Sequence, residues 1–522
     1  MGRAQFALRD YAKSRASFEA STTKGNAAAA NELAAFYELG AGGLPKNDLE
    51  AARLYKLAAD QANAFGQFNL GRFYAHGRGG LSKSDDEAVR LFKLAAEQGL
   101  PIAQFNLGLS YDFGRGGLQR SEGDAARLYA LAAAQGFASA QYNLGVCYQD
   151  GLCGLTKDEE KAARLYQLAA NQGVAQAMDN LAGFYIDARG GLPKSNEEAV
   201  RLLTLAAGQG YANAESRLGY FYANGLAGLS KSDEKAAQFY MLAALQGLPN
   251  AELSIGQMFE AGRGGLPKNE QTAALWYKLA ADKGDAGAQN SLGAFSEIGL
   301  GGLPKSDEEA RRHYELAAHG DAAAGQYNLG RFYQDGRGGL PRRRDDAVKL
   351  YRLAASQGYA NAQVALGTAY ENGQGGLAKS DEQAAGLYKL AADQGVAPAQ
   401  DKLVAFYLDG RGGLPKNNDE AKRLLELAVG QGEAHAETRL GYLYENGFAG
   451  LPKSEEEAAR LYKLAADQGL AEAQFNLGVF YENGRGGLRK NEDEAMRLYK
   501  LAAAQGLPTA KQKLSSASQP GP

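Results

Sequence analysis

One period of 37 residues runs through almost the whole chain and restricts it to a repeat architecture. No insertion or deletion breaks the spacing of the marker residues, which are Leu33, Leu70, Leu107, Leu144, Leu181, Leu218, Ile255, Leu292, Leu329, Leu366, Leu403, Leu440, Leu477 and Leu514. A unit of this length cannot bury its apolar side alone, so neighbouring units must stack. We therefore predict one continuous array, where 522 residues would otherwise divide into several domains.

Each repeat is predicted to contain two helices, and we number its positions from the marker leucine. A small residue at −4, the leucine, an apolar residue at +3 and a tyrosine at +4 share one helical face, which defines helix A. Glycine recurs at +1 beside that ring and predicts a close helix contact. Helix A is predicted to end at the glycine at +7, such as Gly77, with Ala188 as the exception.

A glycine-rich loop of the form GxGGLPK joins helix A to helix B, and its leucine at +11 is predicted to insert into the core. Ser, Asn or Asp at +14, with an acidic residue or Gln three positions later, predicts a capping box; Ser454 and Glu457 are an example. Helix B then carries Ala at +18, usually an aromatic ring at +22, Leu at +24 and Ala at +25. Most of the 68 glycines occupy fixed positions of this pattern, so they are architectural.

The consensus AxxxLGxxYxxGxGGLxKSxxEAxxLYxLAAxQG resembles the Sel-one-like repeat, a relative of the tetratricopeptide repeat. One repeat matches it at Gly77, Gly80, Leu81, Ala88, Leu94, Ala95, Ala96 and Gly99. The resemblance implies an all-α fold, a right-handed α-solenoid whose superhelix has a concave and a convex surface. It also implies a non-catalytic adaptor that assembles protein complexes. The chain departs from the secreted members that carry a regular cysteine pair in each repeat.

The two ends of the chain are predicted to cap the array. Residues 1–25 follow the phase of helix B and form an N-terminal capping helix, and residues 26–509 contain thirteen tandem repeats. Residues 510–522 repeat only helix A, with polar residues turned to water, and end in a disordered tail that begins at Ser515.

Composition and charge exclude several kinds of partner and compartment. A net charge of −3 leaves no excess of positive charge for a phosphate backbone, so nucleic acid is not an expected partner. No secretory signal and no membrane-spanning stretch is found, so no direct membrane insertion is expected. Two cysteines, Cys147 and Cys153, are too few for a disulfide framework, which predicts a reducing, cytoplasmic setting. In our favoured interpretation, the two cysteines are present because small side chains pack well at these positions. The alternative is that they form a redox pair across a helix end.

No catalytic, cofactor or metal site is predicted. The histidines share no column and no metal-ligand spacing; they are His76, His313, His319 and His435, of which His313 replaces a core leucine. The segment GGLPKS lacks the spacing of a phosphate-binding loop. The Lys or Arg at +13 of every repeat is followed by acidic residues, so a neutralised, solvated edge is favoured over a site for an anionic partner. An enzyme is disfavoured because no nucleophile, base and orienting residue recur together.

Helix A varies at +2, on the side away from its packed face. That column reads Ala35, Arg72, Leu109, Val146, Gly183, Tyr220, Gln257, Ala294, Arg331, Thr368, Ala405, Tyr442 and Val479. Because helix A lines the concave groove in the related tetratricopeptide fold, the resemblance places partner contacts there, and drift at a tolerant surface is the alternative. The candidate partner-binding residues are Arg72, Arg217, Tyr220, Gln257, Arg331, Arg439 and Tyr442.

A longer similarity, 222 residues apart, indicates a duplication of six repeats. AESRLGYFYANG at 214–225 returns as AETRLGYLYENG at 436–447, and Asp179 has a counterpart in Asp401. Arg217 with Tyr220, and the equivalent pair in the second copy, are two equivalent contact points in one hypothesis, because Tyr and Arg often dominate interface energies. Shared ancestry without function is the hypothesis we favour.

These observations predict a protein-interaction scaffold that binds a protein partner on its concave helix A surface and assembles a complex as a monomer or weak oligomer. The alternative within the same class is a regulatory activator subunit of a membrane or cell-wall enzyme or of a signalling pathway. A helical-repeat RNA reader ranks lower, because it needs a positive groove.

Overall fold

The structure, a computed structural model, describes residues 2–517 and the side-chain surroundings of residues 13–515. Within these residues the chain forms 28 α-helices and no strand. Two compact blocks share the chain, Met1–Met258 with Gly262–Pro267 and Phe259–Ala261 with Lys268–Pro522. In each block, helix A packs on helix B of its own repeat, and helix B packs on helix A of the next. The predicted all-α solenoid of tandem 37-residue repeats is confirmed.

The even-numbered helices from α2 to α26 are helix A of repeats 1 to 13, and the odd-numbered helices from α3 to α27 are helix B. The helices up to the division between the blocks are α1 (Gly2–Thr23), α2 (Ala27–Leu39), α3 (Asp48–Asp60), α4 (Ala64–His76), α5 (Asp85–Glu97), α6 (Pro101–Phe113), α7 (Glu122–Ala134), α8 (Ala138–Asp150), α9 (Glu159–Asn171), α10 (Ala175–Asp187), α11 (Asn196–Gly208), α12 (Ala212–Asn224), α13 (Asp233–Leu245) and α14 (Pro249–Ala261). The later helices are α15 (Glu270–Asp282), α16 (Ala286–Ile298), α17 (Asp307–His319), α18 (Ala323–Asp335), α19 (Arg344–Ser356), α20 (Ala360–Asn372), α21 (Asp381–Asp393), α22 (Ala397–Asp409), α23 (Asn418–Gly430), α24 (Ala434–Asn446), α25 (Glu455–Asp467), α26 (Ala471–Asn483), α27 (Glu492–Ala504) and α28 (Pro508–Ala517).

The helix boundaries follow the predicted cap residues. Ser454 accepts a hydrogen bond from the backbone N–H of Glu457 at 3.3 Å and so starts α25. Arg343 occupies the same position before α19, where its side chain forms no capping bond. At the other end, Gly77 closes α4 in the left-handed conformation with φ +62°. Ala188 takes the same conformation with φ 54°, so the backbone requirement persists where the glycine is lost.

The small residue at +1 packs against a ring, but the ring comes from helix B. A Cβ added to Gly108 would lie 2.8 Å from the Tyr129 ring, and one added to Gly330 would lie 2.6 Å from the Tyr351 ring. These tyrosines occupy the +22 position and are buried. The sequence predicted a close contact for this glycine and linked it to the tyrosine at +4, whereas the ring that it touches is at +22. Sequence proximity does not show which helix supplies the contact.

A row of amides joins the two helices of many repeats. Gln98, at +28 after helix B, donates to the buried Gln67 at −3 of helix A at 2.7 Å, and Gln505 donates to Gln474 at 2.9 Å. The same side chain also reaches the last turn of helix B, where Gln98 contacts the carbonyl of Leu94. The QG that closes most repeats therefore satisfies a polar group inside the array.

Helices also occupy the two predicted capping segments. At the N-terminus, α1 packs against α2, and Arg15 of α1 donates to the carbonyl of Gly42 at 3.2 Å. At the C-terminus, α28 packs against α27 and continues to Ala517. The predicted tail therefore does not begin at Ser515, because this segment extends the last helix. Residues 518–522, the rest of that prediction, lie outside the described residues.

Cys147 and Cys153 form a disulfide, with their Cα atoms 5.7 Å apart. They occupy positions +3 and +9, which touch in other repeats: a Cβ added to Gly190 at +9 would lie 3.0 Å from the ring of Phe184 at +3. Cysteines at two touching positions can bond to each other. The favoured interpretation of packing alone was therefore wrong, and the redox pair is the one observed. Disulfides persist mainly in oxidising compartments. The cysteine content therefore no longer supports the cytoplasmic setting, which stays a prediction.

Candidate partner-binding face of the first helices

The variable +2 residues are accessible to solvent in all thirteen repeats, whereas most marker leucines and their +1 and +3 neighbours are buried. Three candidates are exposed: Tyr220, Gln257 and Tyr442. The other four, Arg72, Arg217, Arg331 and Arg439, are half-buried. We use "helix A face" for the surface formed, within each block, by positions −1, +2 and +5 of successive A helices.

Arg72 belongs to a network of charges that crosses from one repeat to the next. It lies 3.3 Å from the Glu38 carboxylate, which also accepts from Arg78 and Tyr55 at 2.7 Å each. Burial raises the pKa of Glu38, but the hydrogen bonds from Tyr55 and Arg78 and the charge of Arg72 outweigh it, so the pKa lies below its usual value. Glu38 is therefore ionised and holds three neighbours in place.

Arg331 has an equivalent arrangement, seven repeats later in sequence. Its guanidinium lies 3.2 Å from Glu297, and that carboxylate accepts from Tyr314 at 2.7 Å and from Arg337 at 2.5 Å. Arg331 also donates to Asn328 at 3.1 Å. The +2 arginines are thus neutralised by carboxylates of the preceding repeat.

The candidates from the duplicated segment separate into paired arginines and exposed tyrosines. Arg439 forms a bidentate ion pair with the buried Asp401 at 2.8 and 3.2 Å. Arg217 donates to the backbone carbonyl of Asp179 at 3.0 Å and lies 3.3 Å from its carboxylate. Burial raises the pKa of Asp179 and the charge of Arg217 lowers it, with a net increase. Each arginine therefore binds its own chain, which leaves Tyr220 and Tyr442 as the exposed members of these pairs.

A second recurring contact lies at the junction between repeats, and we call it the arginine clamp. It consists of Phe at +3 and Arg at +8 of one repeat with the acidic residue at +15 of the preceding repeat. At the junction of repeats 8 and 9, the Arg337 guanidinium lies 4.5 Å from the centre of the Phe332 ring and 2.6 Å from Asp307. Complete clamps contain Arg78, Arg189, Arg337, Arg411 and Arg485.

Two cavities open beside the helix A face where residue +3 is small. One, of about 410 Å³, is lined by Arg331, Thr368 and Ala369, and Ala369 stands where the clamp has phenylalanine. The other, of about 180 Å³, is lined by Arg72, Ser110 and other residues, and Ser110 occupies the same position. The loss of one ring therefore creates a recess next to residues of the variable column.

A third cavity, of about 490 Å³, lies beside helices α15 to α17, where His313 replaces the usual leucine. Its Nδ1 lies 2.8 Å from Oε1 of Gln289, and burial lowers the pKa of the imidazole. His319 is exposed and bonds the carbonyl of Glu315 within its own helix. Among the side chains of residues 13–515, no group of three or more His, Cys, Asp or Glu is placed to hold a metal ion.

Some functional neighbours were not recognised from the sequence. The residue at +5 is often Glu, Gln or Asp and accepts a hydrogen bond from the ring at +22, as Glu371 does from Tyr388 at 2.8 Å. The signal was the joint occurrence of a carboxylate or amide at +5 with tyrosine at +22. None of the helices within residues 2–517 combines the length and apolar character that crossing a bilayer requires.

Comparisons with known proteins agree with this architecture. Among solved structures, a protective antigen of uropathogenic Escherichia coli that displays the SLR fold matches with 26% identity and a TM-score of 0.58, over 90% of this chain and 98% of that chain. A Sel1 repeat protein from Oxalobacter formigenes is 30% identical, over 48% of this chain and 96% of that chain, with a TM-score of 0.40. A search of curated protein sequences found no match.

The family model described as Sel1 repeat matches thirteen consecutive segments. They are residues 27–63, 64–100, 101–137, 138–174, 175–211, 212–248, 249–285, 286–321, 323–359, 360–396, 397–433, 434–470 and 471–507. These segments coincide with the repeats defined by the marker leucines and by the helix pairs of the fold. The chain therefore belongs to the Sel1 repeat family.

Proposed function

We propose that this protein is a non-catalytic scaffold that binds a protein partner on its helix A face and holds it in a complex, acting as a monomer or weak oligomer in the cytoplasm. Sel1 repeat proteins are generally protein-interaction scaffolds. The observation that carries the proposal is the pair of cavities beside the helix A face, each lined in part by residues of the variable +2 column. Recesses between variable side chains are where a partner's side chains bind with specificity.

The charges of this face support a protein partner over RNA. Arg72, Arg217, Arg331 and Arg439 are each within ion-pair distance of a carboxylate of the preceding repeat. A neutralised guanidinium has little attraction left for a phosphate backbone, whose binding depends on the release of counterions by unpaired cations. The face therefore offers shape and exposed aromatic rings, which suit a protein surface.

Affinity purification with crosslinking and mass spectrometry tests the proposal. Wild type is compared with a variant in which Arg72, Tyr220, Arg331 and Tyr442 are replaced by alanine, and we expect this helix A variant to lose the retained partner. The matched control replaces four exposed helix B arginines by alanine: Arg90, Arg164, Arg312 and Arg460. Circular dichroism verifies that both variants keep their helix content.

The crosslinks themselves give a second criterion. We expect them to map to residues of α4, α12, α18 and α24, which carry the four substituted positions. Loss of the partner from the helix B variant alone, or crosslinks confined to the B helices, would contradict the assignment of the binding face.

A further inference from the structure

The junction of repeats 9 and 10 lacks every part of the arginine clamp. Ala369 stands in place of the phenylalanine, Gln374 in place of the arginine, and Arg344 in place of the acidic residue. All three line the cavity of about 410 Å³, together with Val348 and Tyr351. The complete clamps show what normally fills this space, namely a phenylalanine ring covered by a guanidinium that is bound to a carboxylate.

The charge at this junction is reversed, and the cation has no partner. Arg344 is exposed and forms no ion pair within residues 13–515. The neighbouring carboxylate of Asp346 is already shared by Lys349 at 2.8 Å and Arg343 at 3.7 Å. Asp335 also lines the cavity but forms no ion pair with Arg344. An incoming carboxylate is therefore the group that this guanidinium lacks.

The smaller cavity, at the junction of repeats 2 and 3, provides an internal control. Ser110 removes the phenylalanine there, but Asp85 and Arg115 keep the ordinary charges of their columns. A small residue at +3 is thus sufficient to open a recess. Of these two cavities, the one beside Arg344 has the reversed charge.

Resting on the proposed function, we propose that the cavity beside Arg344 is the anchor pocket for the partner and binds an acidic peptide segment. An aromatic side chain of that segment takes the place of the missing phenylalanine, between Val348 and Tyr351. An adjacent carboxylate of the segment binds Arg344. The occupant therefore reproduces the ring of the clamp and supplies the carboxylate that the chain lacks at this junction.

Fluorescence anisotropy with labelled synthetic peptides tests this directly. The probe is a short peptide with one phenylalanine flanked on both sides by glutamates, and the comparison peptides replace either the phenylalanine by alanine or the glutamates by lysines. We expect the probe to bind wild type, and each change to weaken binding by about tenfold or more, the effect of losing an aromatic anchor or a charge-assisted hydrogen bond.

Two variants restore the ordinary residues of the clamp. Arg344→Asp returns the acidic residue, and we expect about tenfold weaker binding of the probe. Val348→Ala with Ala369→Phe recreates the combination of Ala385 and Phe406 found at the next junction, and filling the pocket in this way should abolish binding. The matched control, Val89→Ala with Ser110→Phe, fills the smaller cavity and should leave binding unchanged. Thermal unfolding verifies that each variant is folded.

Three results would overturn the pocket assignment. The first is the absence of probe binding to wild type, and the second is equal binding by wild type and the filled variant. The third is a dimer in sedimentation velocity that the filled variant loses, because the occupant would then be a second copy of this chain. A natural partner that still crosslinks to the helix A face of the filled variant would refute the pocket and keep the scaffold function. If wild type itself captured no partner, the proposed scaffold function would instead be refuted.

Discussion

The junction of repeats 8 and 9 and the junction of repeats 9 and 10 share one backbone plan and differ in what fills it. In the first, Phe332 is buried beneath Arg337, and Glu297 accepts from Tyr314. In the second, the equivalent residues include Ala369, Gln374 and Gln334, and a cavity lies between the helices. The adjacent helices form in both cases, so the clamp is not required for the repeat fold. We expect it to determine how firmly one repeat is held to the next.

The largest contrast should come from the ring at +3. Phe332→Ala removes a fully buried side chain, and we expect it to lower local stability by about 3–5 kcal/mol. Ala369→Phe combined with Val348→Ala should leave stability unchanged or raise it, because it fills an existing cavity. Hydrogen exchange of α17 and α18 for the first, and of α19 and α20 for the second, measures both effects. Equal protection in all variants would show that the ring does not hold the junction.

The residue at +8 should give the next contrast. Arg337→Ala leaves the half-buried Glu297 and Asp307 without their shared cation, and we expect a loss of about 2–3 kcal/mol. Gln374→Ala at the open junction should change stability by less than about 0.5 kcal/mol. Hydrogen exchange of α17 and α19 reports each change locally. Similar losses at both junctions would mean that the cation contributes little.

The tyrosine at +22 should separate the junctions by a smaller amount. Tyr314 donates to the Glu297 carboxylate at 2.7 Å, whereas Tyr351 donates to the amide oxygen of Gln334 at 3.1 Å. Because bonds to charged acceptors contribute more, Tyr314→Phe should cost about 2 kcal/mol and Tyr351→Phe about 1 kcal/mol. Urea unfolding midpoints of the two variants provide the comparison. The reverse order would contradict an ionised Glu297.

The smallest expected effect is the loss of stability at acidic pH. Burial raises the pKa of Glu297, but the hydrogen bonds from Tyr314 and Arg337 and the charge of Arg331 outweigh burial, so the net pKa is lowered. The hydrogen bond from Arg337 likewise lowers the pKa of Asp307. Their stabilisation is therefore present above the ordinary carboxyl pKa values of about 4 and is lost as the pH falls through the lowered values. We expect protection of α17 to fall in this range, and Glu297→Gln to reduce that pH dependence. An unchanged slope in this variant would exclude Glu297 as its source.

Much of the repeat was predictable because its signals are local. The capping box at Ser454 and the left-handed residue at Gly77 depend on a few neighbouring residues, and both lie as expected. The leucine at +11 is half-buried or buried and packs against the core, as predicted for Leu81 and Leu451. Such features need no knowledge of the rest of the chain.

Recurrence alone did not show burial. The leucine at +24 occurs in every repeat, yet Leu353 and Leu390 are about half exposed, at 53% and 54%. At 100° per residue, this position lies about 120° from the packed face formed by +18, +22 and +25, so its side chain points away from helix A. An invariant apolar residue can therefore lie on the surface of helix B.

The accessibility of the candidate residues was predicted from the sequence, but their contacts were not. The +2 column is accessible as expected, whereas Arg217 and Arg439 bind the aspartates at −2 of the preceding repeat. Those partners are 38 residues away in sequence. A pairing between separate repeats is not visible from either residue alone. Whether these residues contact a partner therefore stays a prediction.

The sequence by itself determined the period, the two helices of each repeat, their caps and the family, because these follow from short-range hydrogen bonding and a repeated apolar pattern. Only the tertiary structure decided that Cys147 bonds to Cys153, that the arginines of the helix A face are neutralised, and that an unpaired Arg344 borders an open cavity. The physical reason is that these contacts join residues of different helices, loops or repeats, whose distances are fixed by stacking.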